Sequence, residues 1–571
     1  MLTAAQKTRV ALAVMGFLMA AAALWARLVW LQVIRPDHWV SIARRQHLQV
    51  LELAPTRGSI LDRNGKPLAV SLRLTSVFAD PRHVKDRPLV AARLAPLLNR
   101  PESELLAKLS RKDRGFVWLA RRIPNSAARK IRAMHLPAVH LVMESQRFYP
   151  HGYLASHVIG FSGLDTQGLE GLELACDRLL KGEPGWRWLA RDARRRGVGA
   201  WESGVVRPRD GLELVLTLDT TLQYVAERAL EEAWRSSGAK GACIVVSDPA
   251  TGEVLALANR PSFDPNRFAK AQPEERRNRA VTDTFEPGSV FKVVTAAVGL
   301  GTGRLRPEDK FDCENGEYAV AGRVLHDHRP HGVLTFREVI VQSSNIGVAK
   351  AAMQLGPQPI YQGIRAFGFG DRTGLELPGE VGGTVKHPRE WSRPTITTVP
   401  MGHEVAVTAM QLSQLISVVA NGGRLLRPWI IREIREPSSG QVVKRFGPRP
   451  VRRVVTRETA ALLQEFLASV VDHGTGKLAQ VPGFRAAGKT GTAQKLEPNG
   501  QYSHSRFMAS FIGFAPVERP RLAIVVVVDE PRYPNYYGGT VAAPVFKRAA
   551  ADALAYLGYR PMRVTARKKE D

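Results

Sequence analysis

The chain has 571 residues, more than one hydrophobic core organises, so two or more domains are expected. Hydrophobic residues make up 44% and charged residues 23%, both ordinary for a globular protein. The net charge of +28 suits an anionic partner such as nucleic acid, anionic lipid or a cell-wall polymer, but neither zinc-finger spacing nor an aromatic strand motif supports nucleic acid.

Residues 10–26 carry no charge, and apolar residues resume after Arg27 with Leu28, Val29, Trp30 and Leu31. After a short tail, 1–9, the stretch 10–31 is long enough to cross a bilayer as a helix of roughly twenty residues. Trp25 and Trp30 suit an interface, with Arg27 snorkelling. A cleaved signal peptide is the alternative, since Ala20 to Ala23 offers small residues, but no polar region follows a cleavage point there. Lys7 and Arg9 precede the span while Arg27 and Arg35 follow it, so charge alone does not set its orientation.

From 37 to 215 the pattern is mixed. Arg57-Gly58-Ser59-Ile60-Leu61-Asp62-Arg63-Asn64-Gly65 reads as a strand followed by a turn at Asn64-Gly65. No stretch here groups catalytic residue types, and the arginine-rich run Arg191 to Arg196 is a solvated face or a contact for an anionic partner. Cys176, Cys243 and Cys313 are too few, and odd in number, for a disulfide framework. Cys243 lies in an apolar strand and reads as a small core residue.

Near Asp219 the character changes, and a second domain is expected over 219–560, with a basic tail at 561–571. Thr221 to Trp234 has helical periodicity. Strands are expected at Ala242 to Ser247, Glu253 to Ala258, Ala509 to Phe514 and Leu522 to Val528. Helices are expected between them, at Phe336 to Met353 and Thr408 to Ala420. Strand pairs at both ends with helices between fit one antiparallel sheet flanked by helices.

The chemistry centres on Thr284-Phe285-Glu286-Pro287-Gly288-Ser289-Val290-Phe291-Lys292. The apolar run that follows predicts a buried helix with Ser289 in its first turn and Lys292 on the same face. A serine hydroxyl needs a base, and a lysine in a dry pocket can supply one. The other Ser-x-x-Lys, Ser237-Gly238-Ala239-Lys240, falls between a helix and a strand, so no helix face unites its ends. Ser343-Ser344-Asn345 and Lys489-Thr490-Gly491-Thr492 follow Ser289 in the order that acyl-serine transferases use. Lys489 to Thr492 is placed on an edge strand lining the cleft, where Gly491 admits a substrate backbone.

With these motifs the chain resembles the class B penicillin-binding proteins, peptidoglycan D,D-transpeptidases, and most of all the cell-division type. Arg57 to Gly65, Gly168-Leu169-Glu170-Gly171-Leu172-Glu173, Gly474-Thr475-Gly476, Tyr536-Tyr537-Gly538-Gly539 and Val541 to Phe546 extend the likeness over nearly the whole chain. The resemblance implies an N-terminal transmembrane helix, a mixed α+β pedestal and a C-terminal transpeptidase domain. It implies Ser289 as nucleophile toward stem peptides ending in D-Ala-D-Ala, and as the serine that β-lactams trap. Lys292 is then the base, Ser343 a proton relay, Asn345 a substrate and Lys292 partner, and Lys489, with Thr490 and Thr492, the holder of the terminal carboxylate. Backbone N–H groups of Ser289 and Thr492 form the oxyanion hole. No cofactor or metal is implied. The N-terminus is expected in the cytoplasm and the catalytic domain outside the cytoplasmic membrane, at the division site. The expected partners are division proteins, above all a polytopic SEDS-type glycosyltransferase. An elongation-type enzyme and a non-enzymatic β-lactam sensor or scaffold stay open. In this picture catalysis itself needs only the segment after about Asp219.

Three competing signals are weaker. His326-Asp327-His328, with Cys313 and His331, fits no standard zinc spacing and reads as a polar loop over the cleft. Gly474-Thr475-Gly476-Lys477 lacks the upstream glycine and the Ser or Thr of a phosphate loop. Glu376 and Glu380 stand where a β-lactamase would need a deacylating carboxylate, but in a loop punctuated by glycine and proline that class B transpeptidases also carry.

Overall fold

The structure is a computed structural model that describes residues 3–34, 48–190, 205–497, 499–532 and 534–560. The run Arg191 to Arg196 and the tail 561–571 lie outside the described residues.

One unit holds the N-terminal segment. A helix runs from Ala4 to Val29 and continues as a wider turn, Trp30–Ile34. It is long and apolar enough to cross a membrane, none of it is buried, and the Arg27 guanidinium lies 4.7 Å from the Trp30 ring. The helix therefore begins before the expected span and includes Lys7 and Arg9 in its first turns. In the same unit the strand Leu48–Leu53 pairs with Gly185–Ala190, which pairs with Val205–Val206.

The second unit comprises 57–181 and the chain from 211 onward. Its first part is a sheet in which Pro67–Ala79 lies between Val117–Ile123 and Val139–Phe148, all antiparallel. Alternate residues Val77 and Ala79 face the helices Arg87–Leu98, Glu102–Leu109 and Asn125–Ala133, and close a core with Leu94, Leu105, Leu119 and Ile131. The Asn64-Gly65 turn forms as expected, with Gly65 at φ +81°, but its first strand shrinks to Ile60–Leu61.

The two motif stretches of this region meet in one buried ion cluster. Glu173 is fully buried and accepts from Arg57 Nε and Arg147 Nε, each at 2.6 Å, and from the Tyr149 hydroxyl at 3.3 Å. Arg57 also reaches Asp177 at 2.6 Å and the carbonyls of Thr166 and Glu173. Removing one partner of such a cluster leaves charge buried without compensation, at a cost of about 3–5 kcal/mol. Glu173→Ala is therefore expected to lower the thermal transition of the purified protein by about 10 °C. A change within a degree or two would show that the two guanidiniums are solvated elsewhere.

The transpeptidase region is built on a five-stranded antiparallel sheet, ordered Val254–Arg260, Gly241–Ser247, Leu522–Asp529, Tyr502–Ala515, Ala487–Leu496. Its central strands are apolar throughout because both faces are covered. Ile244, Val246, Ile524, Val526 and Phe511 face the helices Thr220–Ser237 and Ala543–Tyr556. Cys243, Val245, Val525, Ile512 and Phe514 face the other side, toward Lys292–Gly301 and Ala409–Ala420. Cys176, Cys243 and Cys313 are buried and free.

The pedestal sheet itself continues across the expected domain boundary, through Ile60–Leu61, which pairs with Pro67–Ala79. Glu213–Leu216 takes Ile60–Leu61 on one side and Ile431–Arg435 on the other, and Val442–Arg445 extends it. Asp62 reinforces this seam: its carboxylate accepts from Thr220 Oγ1 at 2.6 Å, while Asn64 Nδ2 donates to Asp219 at 2.9 Å.

Candidate active site

The nucleophile stretch departs from the expected helix. Gly288–Phe291 forms a 3₁₀ turn, and the α-helix begins only at Lys292. A 3₁₀ turn has three residues per turn, so positions three apart stack directly above one another. Ser289 and Lys292 therefore share one line, by a different geometry from the one periodicity predicts.

That turn rests on the edge strand. Gly288 takes φ +60°, and a Cβ there would stand 2.9 Å from the Thr492 carbonyl oxygen. A Cβ on Gly491 would stand 2.3 Å from Ser510 Oγ and 2.8 Å from the Pro287 carbonyl oxygen. Gly491 is thus required where the strand packs on the nucleophile turn. Lys489 to Thr492 does lie on an edge strand, Ala487–Leu496.

The expected helix from Phe336 to Met353 is two helices, Phe336–Val341 and Asn345–Leu355. The break falls on Ser343, a non-glycine residue at φ +63°, in a region that costs energy and recurs at functional sites. Its position is held from below. Asp327 accepts from Ser344 Oγ and the Asn345 N–H, both at 2.5 Å, and from the Ile346 N–H at 3.0 Å. The Ser344 hydroxyl caps the second helix through the Gly347 N–H.

The break sends Ser343 between two lysines. Lys292 Nζ donates to the Ser343 carbonyl at 2.6 Å, to Asn345 Oδ1 at 2.8 Å and to Ser343 Oγ at 3.3 Å. Lys489 Nζ donates to the same Ser343 Oγ at 2.8 Å. Both lysines are fully buried. Burial pushes Lys292 down to about 7, against the pull of Asp327 and Cys313. Burial, and then the neighbouring Lys292, push Lys489 well below the ordinary lysine range. Two ammonium groups against one hydroxyl in a dry site cannot both hold full charge cheaply.

The remaining predicted residues close the edge-strand side. Thr490 Oγ1 lies 2.9 Å from Thr475 Oγ1, so Gly474-Thr475-Gly476 abuts the motif strand. Thr492 Oγ1 accepts from the Gly538 N–H at 3.0 Å, which brings in the Tyr536-Tyr537-Gly538-Gly539 stretch. The structure thus gathers Lys292, Ser343, Asn345 and Lys489 in direct contact, with Ser289 one turn from Lys292.

The competing signals have other uses. Asp327 caps a helix, His328 stacks on Tyr537 at 4.9 Å, and His326 lies 3.6 Å from Glu317. Among the described residues no three His, Cys, Asp or Glu side chains converge as a metal requires. Glu376 accepts from the Ile430 N–H, and Glu380 from the Thr373 and Gly374 N–H groups, so both tie down their own loop. Ser237 Oγ donates back to the Ala233 carbonyl, and Gly238 at φ +57° ends its helix before Lys240.

Sequence reasoning passed over Glu286, His403 and Tyr502, which meet beside the nucleophile turn. Glu286 lies inside the nucleophile stretch, which was the one available signal.

Residues 52–216 match the penicillin-binding protein dimerisation domain, and residues 242–551 the penicillin binding protein transpeptidase domain. Stage V sporulation protein D of Bacillus subtilis (strain 168) is 36% identical over 549 residues, 95% of this chain and 85% of the relative. Peptidoglycan D,D-transpeptidase FtsI of Escherichia coli (strain K12) is 35% identical over 561 residues, 97% of this chain and 92% of the relative. Among solved structures, penicillin binding protein 3 of Mycobacterium tuberculosis complexed with aztreonam matches with a TM-score of 0.70 at 29% identity, covering 90% of this chain and 99% of that one. A peptidoglycan synthetase from Bifidobacterium adolescentis matches with a TM-score of 0.73 at 27% identity, covering 90% and 97%. With both domains matched in order and the serine and lysine motifs gathered at one cleft, the chain belongs to the class B penicillin-binding proteins, the peptidoglycan D,D-transpeptidases.

Proposed function

We propose that this enzyme cross-links stem peptides at the division septum through an acyl-Ser289 intermediate. The observation that carries the chemistry is Ser343 Oγ, which receives hydrogen bonds from both Lys292 and Lys489. Lys292 takes the Ser289 proton. Ser343, with both lysines donating to it, keeps its own hydrogen free to pass to the leaving D-alanine. Lys489 meets the terminal carboxylate of the donor, and that negative charge restores the proton that burial disfavours. Asn345 orients Lys292 and the substrate amide, Thr490 and Thr492 offer hydroxyl partners, and the Ser289 and Thr492 N–H groups face the oxyanion. β-Lactams acylate the same serine.

The domain plan follows the chemistry: tail 1–9, anchor 10–31, pedestal 37–215, transpeptidase 219–560 and basic tail 561–571. The N-terminus is cytoplasmic and the catalytic domain lies outside the membrane. A single span and a module without catalytic groups suit docking to membrane-bound division proteins, above all a SEDS-type glycosyltransferase that makes the strands to be joined. Small residues at Gly16 and Ala20 to Ala23 offer a face for helix association. Exchanging Met1 to Arg35 for an unrelated single-span anchor is expected to leave penicillin labelling intact and to yield filamentous cells through lost septal recruitment. Normal division with the exchanged anchor would remove the docking role from the span. Depletion that rounds the cells instead of elongating them would favour an elongation role.

A further inference from the structure

Beside the serine and lysine machinery stands a second titratable set that acylation does not use. Glu286, three residues before the nucleophile, accepts the Glu404 N–H at 2.8 Å and the Tyr502 hydroxyl at 3.1 Å on one oxygen. Its other oxygen lies 2.9 Å from His403 Nδ1. A carboxylate only accepts, so Nδ1 carries the hydrogen of this bond, and in the neutral ring that leaves the lone pair on Nε2. The His403 side chain is 26% exposed and stands edge-on to the Tyr502 ring at 5.3 Å. Its Nδ1 edge is thus held by Glu286 while part of the side chain stays exposed.

Its place is set by backbone contact. The Gly288 N–H donates to the Gly402 carbonyl at 3.2 Å, and a Cβ on Gly402 would stand 2.2 Å from the Gly288 carbonyl oxygen. Ser289 and His403 each follow one member of this touching pair. Glu404, at φ +60°, fixes the loop by accepting from Thr395 Oγ1 and Thr398 Oγ1. The titratable groups around His403 are Glu286, Glu404 and Tyr502, with Arg323 bonded nearby to the Pro394 carbonyl and Thr397 Oγ1.

Transfer to an amine makes a demand that acylation does not. An alkyl amine with a pKa near about 10.4 is an ammonium ion at neutral pH and must lose a proton before it attacks. Lys292 is neutral again once its proton has refilled Ser343, and in the second half it is committed to carrying one proton from the attacking nitrogen to Ser289 Oγ as the ester breaks. We infer that His403, oriented by Glu286, is the general base that deprotonates the acceptor ammonium. One ammonium proton passes to His403 Nε2 and on to water. The freed nitrogen attacks the acyl carbon, the C–N bond forms and the ester C–O bond breaks. A second proton from that nitrogen reaches Ser289 Oγ through Lys292, which restores the hydroxyl. The inference rests on the acyl-Ser289 reading and names the residue that serves its second half.

The test uses the full-length enzyme, an acyl-D-alanyl thioester donor and two acceptors. Nα-acetyl-lysine presents an ammonium, whereas hydroxylamine is already unprotonated at pH 7. His403→Gln is expected to cut transfer to Nα-acetyl-lysine about 100-fold. Transfer to hydroxylamine should fall by no more than about threefold, since that nitrogen needs no deprotonation before attack. Glu286→Gln should shift the two rates the same way by a smaller factor. Equal losses with both acceptors, or no loss with either, would overturn the assignment. Fluorescent penicillin mapped on the same preparations separates the two readings. Acylated Ser289 with the wrong acceptor pattern removes only the His403 role. Wild-type enzyme acylated at another residue removes the acyl-Ser289 reading and this inference with it.

Discussion

Ser289→Ala is expected to abolish covalent labelling by fluorescent penicillin, while Ser237→Ala is expected to label like the wild type. The contrast is large because the two serines, both followed by lysine three positions on, sit in opposite surroundings. Ser289 lies on a 3₁₀ turn stacked with a buried Lys292 and at the start of an α-helix, where the field favours a developing oxyanion. Ser237 is spent on its own helix, and Lys240 faces Glu530 at 3.7 Å. Mapping the labelled peptide settles the assignment. Label that survives Ser289→Ala would sink it.

Lys292→Ala should lower the acylation rate constant by about 10³-fold, within the range known for loss of a positioned base. The wild-type pH profile carries a sharper signature. Only neutral Lys292 can take the serine proton, and burial pushes this lysine down to about 7. Acylation should therefore level off above that pH and fall about tenfold per unit below it. The sign follows from the cause: desolvation disfavours the charged form, so more base is present at neutral pH than an exposed lysine would supply. Stopped-flow acylation between about pH 5 and 9 reads the profile directly. A rate that stays flat through the acidic range would give the base role to another group.

Residues within a few positions of one another made the chemistry legible. Ser289 with Lys292, Ser343 with Asn345 and Lys489 with Thr492 each fit in one short window, so type and spacing carried the reading. The apolar runs of the five-stranded sheet were legible for the same reason. Contacts between distant windows were hidden. Nothing local pairs Glu286 with His403, Arg57 with Glu173 or Asp327 with Ser344. The strain at Ser343 was hidden too, since helical patterns lie on both sides of it and the groups that hold the break, Lys292, Lys489 and Asp327, come from distant parts of the chain. The packing of Gly491 against the nucleophile turn was hidden for the same reason.

The sheet that crosses the expected boundary has a bearing on how the chain is made. Glu213–Leu216 is made with Ile60–Leu61 already available on one side and nothing yet on the other. Its second neighbour, Ile431–Arg435, belongs to the transpeptidase region and is translated much later. Until then the nascent pedestal presents a raw strand edge, the kind of surface that pairs with other chains, and so long a loop is slow to close. The same pairing bears on truncation. A fragment starting at Asp219 would keep every proposed catalytic side chain yet strip Ile431–Arg435 of its partner, so a catalytic fragment that keeps this pairing starts upstream of Glu213.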